Sequence, residues 1–252
     1  MSEIFIHDLM AYDGLKILQR KDKFRFSLDS LLLADFVNFN LKPQKIIELG
    51  SGSGAILLYL SLKTDKKMIG IEIQRDVANL SIESIKYNKL DNQIDIINED
   101  IKNIHNIFNP SSFDIVISNP PFFKNNDEKM MNENLSLSLS RHELSINFHE
   151  ILIQTKRILK TGGSFYFVHR ASRLEEIIME MRDLGFVIKR IRFVYTKPKN
   201  DALMILVESR FNGKTGNMII EEPLYVYNHD NQYTSEIKSI FHLGENQNDK
   251  KS

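Results

Sequence analysis

The sharpest chemical signal in the chain is Asn119-Pro120-Pro121-Phe122, which follows the apolar run Ile115-Val116-Ile117. The whole sequence has only six prolines, and two of them adjoin here. Proline locks its own φ, so the Asn119 side chain and the Pro120 carbonyl are held in a fixed direction. Two fixed acceptors suit a planar NH₂ group. They take both of its hydrogens and leave the nitrogen lone pair free to attack, while Phe122 stacks on the ring that bears the amine. A rigid turn ending a strand, with Phe122 and Phe123 in a core, is the alternative without chemistry.

A second cluster points to a nucleoside. Glu48 lies two residues ahead of the run Gly50-Ser51-Gly52-Ser53-Gly54. Glycine lets a backbone turn tightly and come close to a ligand, although a plain strand-to-helix turn asks for the same freedom. No Gly-Lys-Ser/Thr follows, which excludes a P-loop. Glu72 lies 22 residues after Gly50 and just before Ile73. An acid ending the second strand can accept both ribose hydroxyls of a bound nucleoside; otherwise it is a surface carboxylate. Asp100, followed by Ile101, can accept from an adenine amino group or cap the helical turn that begins there. Together these residues favour an adenosine-containing cofactor. A nicotinamide dehydrogenase would leave Asn119 to Phe122 without a purpose.

These residues need a frame that brings them to one place. Apolar runs predict strands at 45–49, 68–73, 94–98, 113–118 and 164–169, with helices at 29–39, 55–62, 75–88, 143–159 and 173–184. Gly162-Gly163 and Gly185 read as C-terminal helix caps. Two more strands, 186–195 and 202–209, form a hairpin through Pro198. The alternation predicts a Rossmann-like α/β fold: seven mostly parallel strands with an antiparallel edge strand, and helices on both faces. One domain is expected over 1–252. It comprises an N-terminal cofactor-side and substrate segment 1–40, a catalytic core 41–211, and an extension 212–252 that frays from about 244. The polar stretch 124–134 has the composition of a mobile loop beside the Asn-Pro-Pro-Phe motif. Ligands of such sheets bind outside the carboxyl ends of the strands, which is where the residues above fall.

Composition narrows the rest. The chain has 252 residues, 33 basic against 33 acidic, and no cysteine, which excludes disulfides, thiolate metal sites and a cysteine nucleophile. No run approaches the roughly 18 apolar residues of a membrane span. With Glu3 and Asp8 near the start and no secretory pattern, a cytoplasmic protein without membrane contact is expected. His142 and His149 belong to no H-E-x-x-H pattern, so no metal is expected. Charge is uneven: residues 1–150 carry a net of −4, 151–214 a net of +7, and 215–252 a net of −3. Between Lys189 and Lys199 stand five cations and no acid. That run, with Arg170 and Arg173, is a candidate for phosphate contacts, Lys197 and Lys199 above all; a solvated face fits the same composition.

Glu48 to Gly54, Glu72, Asp100 and Asn119 to Phe122, in this order, resemble the class I S-adenosylmethionine-dependent methyltransferases that act on exocyclic amines. Phe26-Ser27-Leu28-Asp29-Ser30-Leu31-Leu32-Leu33-Ala34, Gly70-Ile71-Glu72-Ile73-Gln74, Arg141-His142-Glu143 and Val168-His169-Arg170 extend the likeness. Over about 8–209 the chain is similar to the bacterial tRNA1(Val) adenine-N6-methyltransferases. The resemblance implies S-adenosylmethionine as cofactor, held by Ser27, Asp29, Glu48, Gly50, Ser51, Gly52, Gly54, Glu72, Ile73, Asp100, Ile101 and Asn119. Asn119, Pro120, Pro121 and Phe122 would be catalytic. It implies as substrate a tRNA adenosine immediately 3′ of the anticodon, with Phe123, Arg141, His142, Arg170, Arg173, Lys197 and Lys199 as candidate contacts. A monomer is assumed. Guanine-N2 methylation of ribosomal RNA and glutamine methylation of release factors use the same chemistry. An RNA-binding protein with a degenerate methyltransferase fold is the non-enzymatic alternative.

Overall fold

A computed structural model of the chain describes residues 4–9, 12–20, 27–40, 42–120 and 147–242. Along them run β1 (Ile4–Leu9), β2 (Tyr12–Arg20), α1 (Leu28–Phe36), β3 (Lys45–Leu49), α2 (Ala55–Leu60), β4 (Lys67–Glu72), α3 (Arg75–Tyr87) and β5 (Ile94–Asn98). A 3-10 turn at Ile101–Asn106 precedes β6 (Phe113–Ser118) and α4 (Phe148–Ile158). Then come β7 (Leu159–Arg170), α5 (Leu174–Asp183), β8 (Phe186–Tyr195), β9 (Ala202–Phe211), the short β10 (Ile219–Ile220) and β11 (Leu224–Tyr225), and α6 (Ser235–Ile240).

Successive strand residues point to opposite faces, and here both faces are apolar, as a sheet covered by helices on both sides requires. Ile46, Met68, Tyr166 and Val168 pack on one side with α1, α2 and α3. Ile47, Val116, Phe165 and Phe167 pack on the other with α4 and α5. The seven expected strands lie in the order β5-β4-β3-β6-β7-β9-β8, with β10 and β11 added along β8. Strands β3 to β7 are mutually parallel.

The antiparallel strand does not lie at the edge. β9 is inserted between β7 and β8 and runs antiparallel to both. Burial explains the order. Met204–Val207 of β9 are buried and need cover on both sides, whereas β8 carries Lys189, Arg190 and Arg192 and tolerates the outer position.

Two further expectations change. Helix α4 ends at Ile158, and the glycine pair lies inside β7 instead of capping it. Register jumps from Phe113 opposite Leu159 to Ile115 opposite Ser164, so Gly162, at φ +78°, serves a bulge. The N-terminal segment also holds the hairpin β1–β2, which is not among the strands expected from the apolar runs. It docks on α3 through Asn88, whose side chain accepts from Lys16 N at 2.8 Å and donates to Lys16 O at 2.6 Å. Leu15, Ile17 and Gln19 alternate as its buried face.

The chain leaves β3 outward to β4 and β5, then crosses back to β6 on the other side of β3. The carboxyl ends of β3 and β6 therefore flank the crevice where the winding reverses. Ser118 Oγ donates to Leu49 O at 2.9 Å and pins the two ends together. The C-terminal segment closes the α1 and α2 side: Leu224, Val226, Ile237 and Phe241 are buried, and Tyr59 donates to Ile240 O at 2.9 Å. No helix among the described residues is long and apolar enough to cross a membrane. The expected loop 124–134 and the tail from 244 lie outside the described residues.

Candidate active site

The glycine run forms a loop lashed to the end of β4. Gly50 N and Ser51 N both donate to Ile71 O at 2.9 Å. Gly52 N donates to Glu72 Oε2 at 2.9 Å, and Gln74 N to Glu72 Oε1 at 2.8 Å. All three glycines of the run hold left-handed backbone, Gly50 at φ +76°. Gly54 sits at φ +78°, and a Cβ there would meet Ser81 Oγ at 2.4 Å. Gly52 sits at φ +52° with nothing within 4 Å of a Cβ position, so its backbone faces open space. Asn98 shapes the facing loop by donating to Glu72 O at 2.8 Å and Ile73 O at 2.9 Å.

Two carboxylates stand in this crevice. Glu72 is 6% exposed; burial raises its pKa, and its two backbone donors hold it back down. Glu48 is 1% exposed at the end of β3, and burial, reinforced by the nearby Glu72 charge, pushes it well above the ordinary carboxylate range. Glu48 Oε2 and Ser51 Oγ are buried without a hydrogen-bond partner among the described residues. Orphaned polar atoms and buried acids beside an open glycine backbone fit a nucleoside cofactor that carries positive charge.

A buried carboxylate with an oxygen that has no partner among the described residues has a measurable cost to folding. In the window above pH 4.5 the folded state keeps a proton on Glu48 that the unfolded chain has lost, so stability falls as pH rises through it. Glu48→Gln is expected to raise Tm at pH 8, by about 2–4 °C for each kcal/mol recovered, and to change little near pH 4. Thermal melts at the two pH values check this. A Tm unchanged or lowered at pH 8 would mean that Glu48 has a partner in the fold.

Three more of the expected cofactor residues, Asp100, Ile101 and Asp29, are placed by contacts of their own. Asp100 caps the 3-10 turn, its Oδ1 accepting from Lys102 N at 2.8 Å, so only its remaining acceptor capacity faces outward. Ile101 is buried and would touch a Cβ on Gly50 at 3.9 Å, which gives the crevice an apolar wall. Asp29, on α1 beyond Ser27, is raised by burial and drawn back by its hydrogen bonds and the Arg170 charge.

Asn119 stands directly past β6, half-buried, and Pro120 behind it is buried. Its Nδ2 donates to Ser30 Oγ on α1 at 3.0 Å. With the nitrogen engaged, the Oδ1 acceptor is the end left for a ligand. Ser30 was absent from the expected site. A lone buried serine in the apolar helix Leu28–Phe36 is the signal that marks it. Pro121, Phe122, Phe123, Arg141 and His142 lie outside the described residues.

The basic run does not form an open face. Arg190 pairs with Glu208 and Glu221, and Arg192 with Glu236. Lys189 donates to the carbonyls of Lys214 and Gly216, and Lys197 to Asn231. Arg173 is held by both oxygens of Glu176 at 2.8 and 2.6 Å. Acids from β9 and the C-terminal segment thus neutralise Arg190 and Arg192, while neutral oxygens tie down Lys189 and Lys197. Arg170 and Lys199 instead line one cleft at the end of β7.

Against known proteins, residues 41–237 match a family model described as a methyltransferase domain. A tRNA1(Val) (adenine(37)-N6)-methyltransferase from Actinobacillus pleuropneumoniae serotype 7 is 25% identical over 227 residues, 89% of this chain and 91% of that one. A protein of the same name from Bacteroides thetaiotaomicron is 23% identical over 198 residues, 78% of this chain and 80% of its own. Among solved structures, a predicted O-methyltransferase from Agrobacterium tumefaciens superimposes with a TM-score of 0.66 at 18% identity, covering 85% of this chain and 96% of that chain. At that identity the likeness is one of fold.

Proposed function

The chain belongs to the methyltransferase-domain family, and from that premise we propose that it methylates the N6 amine of a tRNA adenosine, immediately 3′ of the anticodon. The cofactor is S-adenosylmethionine, and the setting is the cytoplasm, with a monomer acting without metal. One observation carries the reading: Asn119 stands at the switch point beside the glycine loop, with its amide nitrogen held by Ser30. The names of the relatives, which match along most of this chain, support the same substrate.

S-adenosylmethionine, when bound, supplies an electrophilic methyl group on a sulfonium. The chain's own residues do the rest. Glu72 offers the free lone pairs of its carboxylate to ribose hydroxyls, and Glu48 lies where positive charge offsets its burial. Asn119 Oδ1 and the Pro120 carbonyl accept the two hydrogens of the adenine amine and direct its lone pair. Phe122 stacks on the base, and alignment of amine and methyl supplies most of the acceleration. Adenine must leave its stack to reach Asn119, which costs least in a loop. The methylated nitrogen then loses its extra proton to water.

The defining test is transfer of labelled methyl to unmodified total tRNA, followed by nucleoside mass spectrometry. N6-methyladenosine is expected. Label in N2-methylguanosine would overturn the substrate, and absence of label with cofactor bound would redirect the search to ribosomal RNA and release-factor glutamine.

Ser30 gives a smaller, separable prediction. Removing one oriented hydrogen bond, worth about 1 kcal/mol, lets the Asn119 amide rotate, so Ser30→Ala is expected to lower kcat about 5- to 10-fold. KM for cofactor stays within about twofold, because Ser30 acts on Asn119 alone. The check is a double-mutant cycle with Asn119→Ala. An equal loss in both backgrounds would show that Ser30 acts elsewhere.

A further inference from the structure

A cleft of about 560 Å³ opens where β7 ends and the β8–β9 turn begins. Arg170, the last residue of β7, and Lys199, in the turn, supply its cations; Ser172 and Thr196 supply hydroxyls, and Asp201 stands on its wall. Both cations belong to exposed residues, and neither lies within ion-pair distance of a carboxylate among the described residues. Lys199 holds φ +70°, a left-handed conformation that lysine adopts at a cost, so the turn that presents it is conformationally specified.

The position matters as much as the charge. Ser118 of β6 lies opposite Phe167 of β7, so Asn119 and Arg170 emerge from neighbouring strands at the same end of the sheet. Strand spacing and rise put their Cα atoms about 8 Å apart. The charge of Arg170 also reaches Asp29 on the cofactor side. The cleft is thus a short step from the amine site along the sheet's upper rim.

We propose that this cleft is a subsite for a phosphodiester of the bound RNA strand, gripped by Arg170 and Lys199 next to the nucleotide presented to Asn119. The proposal rests on the tRNA reading and adds the contact that fixes the strand. In the lining two cations stand against one acid, so the cleft suits an anionic phosphate oxygen. Guanidinium, ammonium and hydroxyl donors are the groups that commonly hold phosphate oxygens. The other four cations of the 189–199 run are tied within the protein and take no part.

The test measures binding of an unmodified anticodon stem-loop and of oligouridylate against salt. The proteins are wild type, Lys199→Gln, Arg170→Gln, the double variant and the control Lys189→Gln. Each substitution in the cleft is expected to weaken binding about 3- to 10-fold near 0.1 M salt. Each should also reduce the slope of log K against log salt by about 0.7 to 0.9. Lys189→Gln should change neither. Calorimetric cofactor binding by Lys199→Gln confirms that the site is intact, since Lys199 lies on an exposed turn. Wild-type affinity and slope in the double variant would overturn the subsite, as would a wild-type protein that binds neither RNA. If wild type binds oligouridylate but ignores the stem-loop, and the slope still falls in the variants, the subsite stands and the tRNA reading fails.

Discussion

Asn119→Ala is expected to lower kcat for methyl transfer by about 10²- to 10³-fold, the usual loss when one preorganised dipole is taken from a reacting centre. Cofactor affinity should fall far less, because Glu72 and the glycine loop stay in place. The reason is directional. An adenine amine is flattened by conjugation with its ring, and its lone pair becomes available when both hydrogens are drawn into fixed acceptors. Asn119 Oδ1 is one of the two, and Ser30 fixes which end of the amide it presents. Alanine removes that acceptor and leaves the Pro120 carbonyl alone. Asn119→Asp keeps an oxygen in place and lets Ser30 donate to the other, so it should retain more activity than alanine. Single-turnover rates with saturating cofactor and tRNA decide the matter. Rates for Asn119→Ala within tenfold of wild type would remove Asn119 from the reaction.

The chemistry-bearing residues were legible in the sequence because each lies at a strand end, and strand ends can be read from local pattern. Gly50 and Asn119 directly follow β3 and β6, Glu72 ends β4, Asp100 lies just past β5, and parallel pairing alone brings those ends to one rim. What escaped was set by partners distant in sequence. Ser30 contacts Asn119 across 89 positions; a buried serine in the apolar helix Leu28–Phe36 hints at a partner, but nothing local says that the partner is Asn119. The basic run looked free because its neighbours in sequence are neutral. Its counter-ions, Glu208, Glu221 and Glu236, arrive from β9 and from the segment after it. The order β7-β9-β8 likewise depends on which hairpin strand is apolar enough to be buried on both sides, a comparison between elements and not within one. Gly162-Gly163 imitated a helix cap because a bulge also needs left-handed backbone.

Glu72 carries the second large effect, and it tests whether one side chain both builds the cofactor loop and binds the cofactor. Its two oxygens already accept from Gly52 N and Gln74 N, yet a carboxylate has about four acceptor sites, so each oxygen has a lone pair for a ribose hydroxyl. A hydrogen bond to a charged group contributes about 1.5–3 kcal/mol when well formed. Two of them, less what water offers the free ligand, predict that Glu72→Ala weakens cofactor binding about 10²- to 10³-fold. Thermal stability should move much less, because losing two backbone acceptors is offset by removing a charge that burial disfavours. Glu72→Gln should fall between, since its amide nitrogen faces an N–H donor. The loop-building role predicts a fall in affinity as well, so affinity alone does not separate the roles. A cofactor analogue lacking one ribose hydroxyl does. Wild type should bind it at least tenfold more weakly than the parent, and Glu72→Ala should bind the two nearly alike. If both proteins lose the same factor, Glu72 shapes the glycine loop and another group receives the ribose.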